Sequence, residues 1–109
     1  MTTLLQRRDR ARAQRRRDLY HETRRRLREH LADLVPGQRI LVFGSLTKPG
    51  VFNDASDIDL ALETEPSSTS LGWLMSELTE RLDRPVDVIL LPRCRFRARI
   101  VREGEPWIC

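Results

Sequence analysis

Three aspartates open apolar runs. Asp57 and Asp59 flank Ile58 in Asp57-Ile58-Asp59-Leu60, and Asp87 sits inside Val86-Asp87-Val88-Ile89-Leu90. An unpaired charge at the start of a buried strand is costly, so these acids need a compensating partner. Residues two apart on a strand share a face. Asp57 and Asp59 therefore project together, while Ile58, Leu60 and Leu62 project oppositely into a core. Side-by-side carboxylates raise one another's pKa. Mg²⁺ prefers hard oxygen ligands and removes that conflict. A third acid from a neighbouring strand completes a two-metal site, with ions about 3.5–4 Å apart. Asp57, Asp59 and Asp87 are thus the candidate catalytic and metal-binding residues, facing a polyphosphate.

A second set of residues suits phosphate. The apolar run Leu41-Val42-Phe43 ends in Gly44-Ser45. Gly44 lets a phosphate approach the backbone with no Cβ in the way. Ser45 supplies a hydroxyl and opens a short helical turn, whose free N–H groups attract phosphate. Lys48, the only lysine in the chain, lies in the following loop as a phosphate contact or an exposed turn residue. Ser56 positions that loop, touches a phosphate, or caps the turn.

The elements that must position these groups follow from periodicity. Thr3 to Leu34 contains no Gly or Pro and reads as one long helix ended by Pro36-Gly37. Tyr20, Thr23, Leu27, Leu31 and Leu34 form a helical stripe able to lie on a sheet. Before Leu19 only Leu4, Leu5, Ala11 and Ala13 interrupt a polar run, so the first half is expected to project as an arm. Arg39 to Phe43 is the first strand, residues 46–56 are the active-site loop, and Asp57 to Glu63 is the second strand. Ser70 caps a helix running through Arg81, with Leu71, Leu74, Met75, Leu78 and Leu82 at helical spacing and Trp73 off that stripe. Core packing is the commoner fate of such a Trp. Arg84-Pro85 breaks this helix, and Val86 to Leu91 is the third strand. A helix between two strands that both begin at their acids implies a parallel pair with a right-handed crossover. The first strand then runs antiparallel to both. Arg93 to Glu103 is expected as a short helix with Phe96 and Ile100 inward, and Pro106-Trp107-Ile108 as an edge strand. The fold class is α/β (α+β), a small mixed sheet flanked by helices, divided into an arginine-rich helix over 1–35 and a domain over 36–109.

Composition sets outer limits. With 109 residues the chain buries a modest core and leaves no room for a second catalytic domain. Residues 1–30 hold eleven Arg against four acids, a balance of +7, and the remainder is −3, together the chain's +4. An arginine-rich arm points to a partner protein, to nucleic-acid phosphates, or to a solvated face. Its four acids, and a second half able to dock, argue against a transit peptide. Aromatics are sparse there, so base stacking by the arm is not indicated. A second basic cluster, Arg93, Arg95, Arg97, Arg99 and Arg102, reads as solvated charge or as a helper for a triphosphate. Cys94 and Cys109 lack metal-ligand spacing and read as free thiols in a reducing cytoplasm. No stretch approaches the length of a membrane span.

Phe43-Gly44-Ser45, Ser56-Asp57-Ile58-Asp59-Leu60 and Val86-Asp87-Val88, with the closing Ile100-Val101-Arg102-Glu103-Gly104, resemble the nucleotidyltransferase superfamily that includes DNA polymerase beta. The chain looks most like its small MNT-type (minimal nucleotidyltransferase) members, over about residues 38–108. Relatives carry a basic residue followed by Gly near Lys48, whereas here Pro49 intervenes before Gly50. The resemblance implies the nucleotidyltransferase fold, two Mg²⁺ ions on Asp57, Asp59 and Asp87, and ATP as substrate. Asp87 would help remove the proton of an acceptor hydroxyl. The resemblance also implies a hetero-oligomer with a helical HEPN-type toxin, this chain being the antitoxin that adenylylates it. Two alternatives stand beside that expectation. One is a non-catalytic module that neutralises a partner by contact, and the other is transfer to an RNA end or a small molecule.

Overall fold

A computed structural model describes residues 2–109. Helix α1 spans Leu4–Leu34. It starts where Thr3 can cap it: the Gln6 N–H donates to Thr3 Oγ1 at 3.1 Å, and the Thr3 N–H donates to Gln6 Oε1 at 2.8 Å. It stops where the Val35 N–H returns to the Leu31 carbonyl and Gly37 takes φ 78°. The two halves behave as their composition dictates. Residues 4–18 are exposed throughout, while Tyr20, Thr23, Leu27 and Leu31 are buried. The projecting half gives the molecule its extents of 57 × 28 × 20 Å.

Strand β1 (Arg39–Phe43) leads into a 3-10 turn at Gly44–Thr47, and β2 covers Ile58–Leu62. Helix α2 (Leu71–Leu82) begins where Ser70 Oγ accepts the Trp73 N–H and ends at Asp83, which is left-handed with φ 51°. Strand β3 (Val86–Leu90), helix α3 (Arg97–Glu103) and strand β4 (Glu105–Ile108) complete the chain. The sheet order is β3-β2-β1-β4, with β2 and β3 parallel and β1 antiparallel to both β2 and β4. This is the mixed sheet expected from the sequence.

Alternation gives the sheet two unequal faces. Ile40, Val42, Ile58, Leu60, Leu62, Val86 and Val88 join the buried residues of α1 and α2 in the main core. Leu41, Ala61, Leu91 and Ile100 form a smaller cluster on the other face, which α3 covers in part. Trp73 takes the less common fate, 48% exposed on α2. Phe96 differs from expectation: it is 64% exposed, and only Ile100 turns inward. A 3-10 turn at Leu91–Arg93 delays α3 until Arg97, so Phe96 precedes the helix and lies off its buried stripe.

One polar clamp ties α1 to the sheet. The Arg24 side chain, 15% exposed, donates to the Leu46 carbonyl at 2.9 Å and to the Glu105 carboxylate. The Trp107 indole N–H donates to the same carboxylate, and Arg24 lies 4.9 Å from the Tyr20 ring centroid. Burial alone would raise the Glu105 pKa, but the bonds from Trp107 and Arg24 outweigh it and hold the pKa below the usual carboxylate range.

Candidate active site

Strand register assembles the acids. Phe43 pairs with Asp59 across the β1–β2 ladder, and Asp59 pairs with Asp87 across the parallel β2–β3 ladder. Both aspartates stand on the α3 face, beyond the apolar row of Leu41, Ala61 and Ile89. Asp57 lies immediately before β2 rather than inside it, exposed and on the side of Asp59. Asp59 is half-buried between the other two. Burial pushes its pKa up, and the negative charges of Asp87 and Asp57 push it further. Among the described residues no cationic side chain bonds to any of the three.

That uncompensated charge fits a divalent ion. Asp59 is the shared member of two carboxylate pairs, Asp57–Asp59 and Asp59–Asp87. Among the described residues no three His, Cys, Asp or Glu side chains converge on one point, so a pair with open positions is the ligand set offered. Carboxylate pairs that leave room for phosphate oxygens suit Mg²⁺.

Gly44 is fixed by this geometry twice over. Its φ is +73°, and a Cβ there would lie 2.5 Å from Asp59 Oδ2. The glycine thus leaves room for the carboxylate of the neighbouring strand. Thr47 Oγ1 donates to the Gly44 carbonyl at 2.7 Å and tightens the turn. Ser45 is partly buried, with Oγ 3.5 Å from the Asp57 carbonyl, a long contact that leaves the hydroxyl available.

The loop from Lys48 to Asp57 is pinned from within. Phe52 is fully buried, and the Val51 and Phe52 N–H groups return to the Lys48 carbonyl. Ser56 Oγ accepts the Asn53 N–H at 3.0 Å, so this hydroxyl holds the turn. Arg84 reaches in from the α2–β3 turn. Its guanidinium donates to the Asn53 carbonyl at 3.0 Å and the Ser56 carbonyl at 2.7 Å, over the Phe52 ring. Burial lowers the Arg84 pKa, with Asp54 and Asp57 opposing. Sequence reasoning took Arg84 only as a helix breaker and gave Arg24 no role. Both act through backbone carbonyls far along the chain, which no local pattern reports.

A cleft of about 670 Å³ opens beside Asp59, lined by Gly44, Thr47, Lys48 and Asp59 from β2 and the turn after β1, and by Phe96, Arg99 and Glu103 from α3 and the residue before it. Its size is that of a ligand pocket. Lys48 is exposed in its wall, as is Arg99, whose Nε is 3.2 Å from Glu103. A second hollow of about 430 Å³ lies between Arg12, Arg15 and Arg16 of the arm and Asn53, Asp54 and Ala55 of the loop.

The family described as polymerase beta, nucleotidyltransferase, matches residues 26–109. The chain belongs to that family. The match covers the last part of α1, from Arg26, and the whole sheet of this nucleotidyltransferase. Two solved structures are similar to it. One is a crystal structure of a toxin–antitoxin with AMP-PNP, 27% identical, covering 76% of this chain and 71% of that one with a TM-score of 0.58. The other is the toxin–antitoxin MntA-HepT, 24% identical, covering 80% and 71% with a TM-score of 0.56, a likeness of fold. No curated protein sequence matches the nucleotidyltransferase. Among the described residues, no helix is long and apolar enough to cross a membrane.

Proposed function

We propose that this nucleotidyltransferase transfers AMP from ATP to a hydroxyl of a partner protein, as the antitoxin of a pair with a helical HEPN-type toxin. The observation that carries the reading is the row Phe43–Asp59–Asp87, which sets two carboxylates on neighbouring strands, with Asp59 beside Gly44 and lining the cleft. Asp59, paired with Asp57 on one side and Asp87 on the other, would hold Mg²⁺, which when bound neutralises the phosphates and the departing charge. The acceptor oxygen forms a bond to the α-phosphorus, the α–β bridging bond breaks, and pyrophosphate leaves. Asp87, exposed at the solvent side, takes the hydroxyl proton. Gly44, the N–H groups after it, Ser45 and Lys48 hold the terminal phosphates. Ser56 and Arg84 keep the loop in place around them. Most of the rate then comes from positioning and charge neutralisation. The likeness to a toxin–antitoxin crystallised with AMP-PNP supports both the nucleotide and the partner. The free thiols Cys94 and Cys109 fit a reducing cytoplasm.

The hollow between Arg12, Arg15, Arg16 and the loop favours a second reading, transfer to an RNA end gripped by those arginines. One experiment separates the two. The protein is incubated with Mg²⁺, α-labelled ATP, the product of the neighbouring gene and total RNA. Label on the partner supports the first reading, and label on RNA supports the second. Label on neither, with Asp59→Asn indistinguishable from the parent protein, removes both.

A further inference from the structure

The cleft is lined by two chemical kinds of group. Gly44, Lys48 and Asp59 are polar or charged and suited to phosphate. Phe96, from the segment entering α3, is apolar and exposed. Among the described residues two aromatic side chains are largely exposed, Trp73 and Phe96, and of these Phe96 lines the cleft. Its place is not accidental slack in the chain. Ile100 is buried with Leu41, Ala61 and Leu91 and so anchors α3 to the sheet, while Phe96 four residues earlier is left facing the cavity. The Phe96 carbonyl accepts the Ile100 N–H at 3.0 Å, which ties its backbone to the anchored helix, and a ring so placed loses less freedom when a flat ligand lies on it.

We propose that Phe96 is the stacking platform for the nucleobase of the bound nucleoside triphosphate, a subsite that rests on the nucleotidyltransferase reading above. The phosphates lie toward Gly44 and Lys48, and the base crosses the cleft to the Phe96 ring. Arg99, paired with Glu103 at 3.2 Å, also lines the cleft. Stacking on one ring is tolerant of base identity, because every base has a π-face. The subsite therefore contributes affinity for a nucleotide over bare polyphosphate and little discrimination among bases.

The test is titration of the full chain, in Mg²⁺, with ATP and separately with inorganic tripolyphosphate. For Phe96→Ala the expected result is an affinity for ATP weaker by about five- to a hundredfold, with tripolyphosphate binding unchanged and the melting temperature retained. Phe96→Trp should restore ATP affinity, and its added fluorescence should be quenched by ATP and not by tripolyphosphate. Equal ATP affinity in Phe96→Ala and the parent protein overturns the proposal, as does equal loss of both ligands. If the parent protein binds neither ligand, the nucleotide reading itself fails and the subsite falls with it. If it binds both equally and Phe96→Ala changes nothing, only the base subsite fails.

Discussion

Replacing Gly44 by Ala tests the tightest contact in the site. Two costs add. A non-glycine residue at φ +73° pays the left-handed penalty of about 1–2 kcal/mol. The new Cβ would also lie 2.5 Å from Asp59 Oδ2, so the carboxylate must swing off its rotamer. That costs about 0.5–1.5 kcal/mol. The total is about 1.5–3.5 kcal/mol, which for a chain of this size lowers the melting temperature by about 6–14 °C. Gly37 supplies the control. Its φ is +78°, and a Cβ there would meet nothing within 4 Å, so Gly37→Ala should pay the backbone cost alone. The assay is a double-mutant cycle by denaturant unfolding in metal-free buffer. In an Asp59→Ala background the cost of Gly44→Ala should fall to that of Gly37→Ala. An equal cost of Gly44→Ala with and without Asp59 would show that glycine and carboxylate do not meet, and the geometry given for the site would be wrong.

Three further outcomes are expected. Asp57→Asn or Asp59→Asn should abolish Mg²⁺-dependent transfer by orders of magnitude while leaving metal-free stability unchanged or raised. Solvent screening keeps that gain below about 1 kcal/mol, and a variant that unfolds would mark the acids as structural. Glu105 has a lowered pKa, so its contribution is present above its unfolded value near 4.5 and is lost as pH falls through the folded value. The stability difference between the parent protein and Glu105→Gln should therefore be largest near neutral pH and vanish in acid. A pH-independent difference, measured by melting across pH 3–7, would contradict the clamp. Deleting residues 2–15 should leave the melting temperature nearly unchanged and weaken binding of the partner or RNA, because residues 4–18 are exposed throughout. A drop of many degrees would show that the arm packs on its own domain.

The strands and the two longer helices were legible because each rests on local periodicity. Alternation put Ile58, Leu60 and Leu62 on one face, and the structure buries all three completely. The crossover through α2 follows from two acid-bearing strands with a helix between them, and the parallel register of Asp59 with Asp87 agrees. What escaped was non-local. Arg24 reaches Leu46 and Glu105, and Arg84 reaches Asn53 and Ser56, each through a backbone carbonyl or a distant strand. Phe96 escaped for a different reason. Its spacing to Ile100 suits a helix, but α3 starts one residue too late to include it. The role of Gly44 was read as room for a ligand, and the structure adds room for Asp59.

Strand β3 lies at the outer edge of the sheet, and Asp87 is exposed on it. The segment Val86-Asp87-Val88-Ile89-Leu90-Leu91 is otherwise apolar and rich in β-formers. An open edge of that composition is a template for self-association, and a single charge is a common guard against it. Asp87 therefore stands as gatekeeper of its own strand. Neutralising it removes that guard as well as a candidate ligand, so an Asp87 variant that precipitates reports on intermolecular strand pairing, and Asp59→Asn is the cleaner inactive protein for any study at high concentration.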